Sequence, residues 1–229
     1  MKKKYELTTE TRSFDGRILH RIKRIEDELI GGWIESENNL SQEGDCFVYD
    51  NAMVYGDGKV YGDAVVYNDA RVSGDARIYG NAEVCGNAEV YGNAEVYDYA
   101  EVRGDATVYD YAEVYDYAEV CGRHAEVYGN AEVYGDARVC GNAKIHEGRI
   151  IGQVSQSYEG IFQYQCKNRV LTAILTEEGE ILYSIGCQEN ITKEVFLDRI
   201  YNECGGLEEN PHREEYLKLI PLIEQYFGN

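Results

Sequence analysis

From Gly44 to about Gly152 the chain repeats every six residues, most plainly in Val84-Cys85-Gly86-Asn87-Ala88-Glu89 and Val90-Tyr91-Gly92-Asn93-Ala94-Glu95. Valine or isoleucine stands at 48, 54, 60, 66, 72, 78, 84, 90, 96, 102, 108, 114 and 120. After a one-residue slip the series resumes at 127, 133, 139 and 145. A fixed short period of this kind restricts a chain to wound or stacked repeat architectures. In each unit Ala-Glu-Val-Tyr alternates small, polar, branched and aromatic residues, the period of two expected of a half-buried strand. Gly-Asn or Gly-Asp follows. Glycine adopts positive φ without steric cost, and Asn or Asp bonds locally to backbone, so each pair turns the chain. No unit can bury its Val and Ala alone, so the units must wind up and stack.

Val or Ile followed four residues later by Ala resembles the left-handed β-helix family, which winds three hexads into each 18-residue coil. The resemblance implies a mainly β chain. On that resemblance residues 44–152 are expected to form a left-handed parallel β-helix of about six coils, while the change in character at either end predicts an N-terminal β cap over 1–43 and a small α+β domain over 153–229. Left-handed winding departs from the usual right-handed crossover rule. With 18 residues per coil, outward side chains sort onto three faces. The first runs from Phe47/Tyr49 through Val65/Tyr67, Glu83/Cys85, Glu101/Arg103 and Glu119/Cys121 to Arg138/Cys140. The second runs from Met53/Tyr55 through Arg71/Ser73, Glu89/Tyr91, Thr107/Tyr109 and Glu126/Tyr128 to Lys144/His146. The third carries Lys59/Tyr61, Arg77/Tyr79, Glu95/Tyr97, Glu113/Tyr115 and Glu132/Tyr134. Aromatic cross-strand pairs stabilise a sheet by about 0.2–1 kcal/mol each. Columns of Glu repel by roughly 1 kcal/mol per pair in water and more near protein. Glu95, Glu113 and Glu132 are therefore kept against electrostatics, for solubility or for a cationic partner.

Residues 1–32 differ in character. Tyr5-Glu6-Leu7-Thr8 and Arg17–Ile25 predict two strands around Asp15-Gly16, with a short helix over 18–29 as the alternative. Gly31-Gly32-Trp33-Ile34, Asn39-Leu40-Ser41-Gln42 and Gly44-Asp45-Cys46-Phe47-Val48-Tyr49-Asp50 follow. With the repeats, over roughly residues 4–150, these segments resemble the uncharacterised YdcK-like family of bacterial and phage hexapeptide-repeat proteins. Trp33 and Ile34 are expected to close the lower end of the prism, since terminal repeats must be atypical. The apolar start of the first face, at Phe47, Tyr49, Val65 and Tyr67, is expected to be covered.

The formal net charge of −20 argues against direct binding to nucleic acid or an anionic membrane. It suits a basic protein partner, or imitation of nucleic acid. No apolar stretch follows Met1-Lys2-Lys3-Lys4, so no export signal is expected and a cytoplasmic location is. The seven cysteines lack disulfide-like or metal-like spacing and are expected to be reduced. No cofactor or metal is expected.

Three places attract attention as sites. The corners Asp98-Tyr99 and Asp116-Tyr117 replace Gly-Asn and should stack on one edge beside Tyr97, Tyr115, Glu95 and Glu113. Tyrosine supplies rigid contact area of the kind found at interfaces, so this edge is the expected partner-binding surface. Asp110-Tyr111 is a third such corner. The slip at Cys121-Gly122-Arg123-His124-Ala125 makes a corner protrude, with Arg103, Arg123 and His124 as catalytic candidates if the chain is an enzyme. The column of Cys85, Arg103, Cys121 and Cys140 is the expected face for a homo-oligomer.

Beyond residue 153, strands are predicted over Gln153–Tyr164, Arg169–Thr176 and Ile181–Cys187. A helix capped by Thr192 runs to about Cys204, ended by Gly205-Gly206, with Phe196, Leu197, Ile200 and Tyr201 as its apolar face. A second spans about His212–Tyr226, kinked or split at Pro221. The functional reading is a non-catalytic acidic, Tyr-rich scaffold for protein–protein interaction, in its finer form a phage-type inhibitor or DNA mimic. The alternative is a hexapeptide-repeat acyltransferase, which the resemblance of the rod to such enzymes implies.

Overall fold

The structure is a computed structural model that describes residues 3–141, 143–150, 153–157, 161–166, 169–175, 181–185, 188–202 and 213–227. The repeat forms a parallel β-solenoid of about six turns whose register follows the 18-residue spacing. Glu101 lies above Glu83, Thr107 above Glu89, and Glu113 above Glu95. Across the slip the offset is 19, so that Glu126 lies on Thr107, Glu132 on Glu113 and Arg138 on Glu119, and above it Lys144 lies on Glu126 at 18 again. The aliphatic anchors and the alanines between them are fully buried from Ala64 to Ile145, one continuous core a few side chains wide. Backbone N–H groups are answered by the coil above, as in Tyr97 N–H to the Val114 carbonyl at 3.0 Å. This satisfies the ladder without any side chain.

Each corner turns on one left-handed residue. It is glycine at most positions, but Asp50, Asn68, Asp98, Asp110 and Asp116 adopt φ between 52° and 60°. Asp and Asn tolerate this region better than other side-chain-bearing residues. The slip is absorbed between Cys121 and Ala125, with φ +113° at Gly122. In the next coil the strand Glu126–Val133 runs on through its corner and joins the second and third faces into one sheet.

At the lower end, Tyr5–Phe14 and Arg17–Arg24 form an antiparallel hairpin around Asp15-Gly16, so the strand reading holds and the helical alternative falls. Both turn residues have positive φ, as a tight two-residue hairpin requires. Ile30–Ile34 pairs with this hairpin and, in parallel, with Met53–Val54. The expectation that Trp33 and Ile34 together plug the open end needs correcting. Ile34 points into the core, whereas strand alternation turns Trp33 outward onto Leu19 and Met53. Buried Tyr5 and Leu40 complete the lower core instead, the Tyr5 hydroxyl donating to the Leu40 carbonyl at 2.6 Å. Gly31 and Gly32 permit this join, since a Cβ on either would meet the Val48 or Ala52 carbonyl oxygen at 2.6 Å. Phe47 is covered, as its apolar character required, with the Arg24 guanidinium 5.2 Å from its ring centre. The basic run of the hairpin is answered locally by Arg17–Glu35, Lys23–Glu28 and Arg24–Asp27 ion pairs. The pair with Arg24 draws the Asp27 carboxyl down to about 2.

At the upper end the first face continues edge to edge. Arg138–Cys140 pairs in parallel with Gln153–Ser157, which leads antiparallel through Ile161–Cys166, Arg169–Leu175 and Ile181–Ile185 to Gln188–Ile191. The stretch read as one strand from Gln153 to Tyr164 is thus two antiparallel strands, and Gln188–Ile191 is additional. Helix α1 (Lys193–Asn202) begins where the Thr192 hydroxyl accepts from the Val195 N–H. Phe196 and Ile200 are buried, but Tyr201 is exposed rather than part of the apolar face. Helix α2 (Arg213–Phe227) runs unbroken through Pro221 and lies against Lys144–Ile150. Its Tyr216, Leu219, Ile220, Leu222 and Ile223 join the solenoid core. The expected stop at Gly205-Gly206 and the turn over 177–180 lie outside the described residues.

The expectation of reduced cysteines fails at one pair: Cys121 and Cys140 form a disulfide, their Cα atoms 4.7 Å apart. They occupy the same column on successive coils, and adjacent strands are separated by a distance that disulfide geometry accepts. Cys46 and Cys85 are free and buried, and burial pushes both thiols up.

Candidate functional site

The third face is built from two columns per strand, one aromatic and one charged. Tyr61, Tyr79, Tyr97, Tyr115 and Tyr134 stack in a single file, with ring centres 4.9–5.2 Å apart and planes within 11° of parallel. The ring spacing is the strand spacing, so the ladder follows from register alone. Beside it the charged column reads Lys59, Arg77, Glu95, Glu113 and Glu132. Alternation along each strand leaves three of these phenols, Tyr79, Tyr97 and Tyr115, next to the carboxylate of the coil above. Tyr79 donates to Glu95 and Tyr97 to Glu113, each at 2.9 Å, and Tyr115 donates to Glu132 at 3.2 Å. Arg77 also binds Glu95 at 2.9 Å. Glu95 is therefore held by a neutral phenol and a cation, and Glu113 by a neutral phenol, a partnership the column assignment alone did not reveal. Burial pushes the Tyr79 and Tyr97 phenols up from their ordinary value, and the accepting carboxylates push them further.

One corner flanking this face carries Asp98-Tyr99 below Asp116-Tyr117. The two tyrosine rings stack with centres 5.1 Å apart, and they are 57% and 65% exposed. Asp98 and Asp116 supply the left-handed turns, and Asp116 also accepts from the Gly135 N–H at 3.1 Å. The structure thus brings Tyr97, Tyr99, Tyr115, Tyr117, Asp98, Asp116, Glu95 and Glu113 together on one face and its edge. The opposite corner of the same face carries Tyr111, 65% exposed. Tyr111, Asp75, Asn93, Arg77, Glu95 and Glu113 line a groove of about 230 Å³. The repeat flagged Asp110-Tyr111 as an altered corner, but its neighbour one coil below is Asn93, so no aromatic ladder pointed to it.

The slip cluster is arranged differently. The Arg103 guanidinium is engaged by Glu101 and Glu119, and Glu119 also takes Arg138 at 2.9 Å. Burial lifts the Glu101 carboxyl above the usual range despite Arg103. Arg123 and His124 lie exposed on the corner, and the His124 backbone N–H donates to the Gly141 carbonyl at 3.1 Å. A histidine base at 124 would need an orienting carboxylate, but Glu101 is paired with Arg103, and Asp105 accepts from the Asn87 side-chain amide at 2.7 Å. The side chain of His146 lies outside the described residues. Cys85, Arg103, Cys121 and Cys140 do share a column, the last two covalently joined. Among the described residues no group of three or more His, Cys, Asp or Glu is placed to hold a metal ion. Nor is any helix among them long and apolar enough to cross a membrane.

A family model described as YdcK Beta solenoid repeat matches residues 70–88. The matched segment runs from inward Ala70 to inward Ala88, one coil and its first repeated position. No curated protein matches the chain.

Proposed function

Because the chain carries the YdcK-type solenoid repeat, we propose that it is a non-catalytic, rigid acidic scaffold that binds a basic protein through its third face and the Tyr99/Tyr117 edge. The observation that carries this reading is the pair of stacked tyrosines, each more than half exposed, beside a column of carboxylates. Exposed aromatic area on a rigid backbone binds at little entropic cost, and the acids select the partner by charge. In its finer form the partner is a nucleic-acid-binding protein of the host cytoplasm, whose cleft the rod occupies as a phage-type inhibitor mimicking DNA. The net charge of −20 supports that form. Self-association belongs to the same proposal. The column of Cys85, Arg103, Cys121 and Cys140 has its cation balanced by Glu101 and Glu119 and offers a second copy a weakly charged strip.

The test is capture from host lysate on the immobilised chain, with a Tyr99→Ala/Tyr117→Ala double variant alongside. Basic proteins retained by the native chain and lost by the variant support the edge. Equal retention by both discards it. Release of the captured protein by duplex DNA distinguishes mimicry from simple scaffolding.

A further inference from the structure

The corner between the second and third faces changes size as it climbs. Its outer positions are Asp75, then Asn93, then Tyr111, each on a successive coil. The two small residues leave a floor, the phenol forms an overhanging roof, and the column of Arg77, Glu95 and Glu113 forms one wall. The charges in this groove do not cancel. Arg77 is taken by Glu95 at 2.9 Å. Glu113 accepts only a neutral phenol from Tyr97 at 2.9 Å, and neither it nor Asp75 forms an ion pair among the described residues. The next cation down the column, Lys59, does not line the groove. Two carboxylates without a counter-cation thus face a cavity of about 230 Å³ roofed by an exposed aromatic ring.

We propose that this groove is the pocket for an arginine side chain of the partner protein, with the guanidinium held between Asp75 and Glu113 under the Tyr111 ring. Arginine fits better than lysine on three counts. Its planar fork matches a carboxylate in two bonds, its face stacks on a phenol, and it is the more weakly hydrated cation. Tyr111 adds a cation–π contact on the side away from the wall. This inference rests on the scaffold reading above and deepens it by giving the partner's charge a specific seat.

The probe is a short acetylated Gly-Arg-Gly-Arg-Gly amide titrated into the isotope-labelled full chain and followed by amide NMR. The same peptide with citrulline in place of arginine, and one with lysine, serve as controls. The expected result is saturable shifts at Asp75, Asn93, Tyr111 and Glu113 with the arginine peptide, weaker ones with lysine and none with citrulline. Tyr111→Ala should weaken binding about two- to five-fold, the size of an exposed cation–π contact. Asp75→Asn with Glu113→Gln should weaken it further. Asp75 and Tyr111 are exposed and Glu113 is half-buried, and an unchanged amide spectrum elsewhere shows that the variants fold. Equal response to the citrulline peptide, or shifts spread evenly over every Glu column, overturns the pocket. Shifts confined to Tyr99 and Tyr117 also overturn it while leaving the scaffold standing. No saturable response at either place overturns both.

Discussion

In the corner column Gly62, Gly80, Asp98, Asp116 and Gly135, every residue has positive φ, and each meets different surroundings. A Cβ at Gly80 would lie 2.7 Å from the Asp98 nitrogen, whereas one at Gly135 would meet nothing within 4 Å. Alanine at either position bears the left-handed penalty of about 1–2 kcal/mol. Gly80→Ala bears a backbone collision as well and is expected to lose clearly more stability than Gly135→Ala. Chemical denaturation of the two variants measures the difference, and equal losses would mean that the coil above yields freely. Aspartate at 98 and 116 was legible as a turn former. Its value in letting the next residue be an exposed tyrosine was not, because exposure depends on which coil lies above.

Along an element, stacked side chains act as files rather than as pairs. Burial raises the Tyr109 phenol to about 12, with Glu126 adding to the effect, and the ring is sandwiched between Tyr91 and Tyr128. A phenol whose folded value exceeds its unfolded one stabilises the fold fully below the unfolded value, about 10. That contribution is lost as pH rises through the folded one. Melting temperature is therefore expected to fall as pH climbs from about 10 towards 12, and Tyr109→Phe should flatten that fall. A variant with the same pH slope as the native chain would remove Tyr109 from the effect. The Cys121–Cys140 bond closes a loop of sequence separation 19 around the slip. For a loop of that length the loss of chain entropy is worth about 3 kcal/mol. Cys121→Ser, or reduction of the native chain, should lower stability by roughly that amount. Denaturation curves that coincide with and without reductant would show that the bond contributes nothing. The shared column of the two cysteines could be read from the repeat. Their bonding could not, because it requires the slip to preserve vertical register.

For the rod as a body, the excess of 42 acids over 22 bases is spread along stacked coils. Ion pairs at column ends, such as Arg71–Glu89, Arg77–Glu95 and Lys144–Glu126, answer only part of it. Raising salt from about 10 mM to about 150 mM shortens the screening length from about 30 Å to about 8 Å. At neutral pH the melting temperature is expected to rise over that range, since self-repulsion is screened more than close pairs are. A fall would mean that the paired column ends dominate. The two ends of the rod are completed differently, by a hairpin laid alongside the first turn and by a sheet extension with α2 against the last.

The hexad dictated the strands, the corners, the inward Val and Ala and the three columned faces, because a period of six with alternation of two leaves one way to bury the apolar residues. Local patterning also marked both terminal regions as non-repeating. The partners across coils were decided in three dimensions: Tyr97 donating to Glu113, Cys121 joined to Cys140, Trp33 turned outward, and Tyr111 roofing Asn93 and Asp75. Each depends on the diagonal and vertical offsets that stacking creates between residues about 16 to 36 apart, and no local period records those.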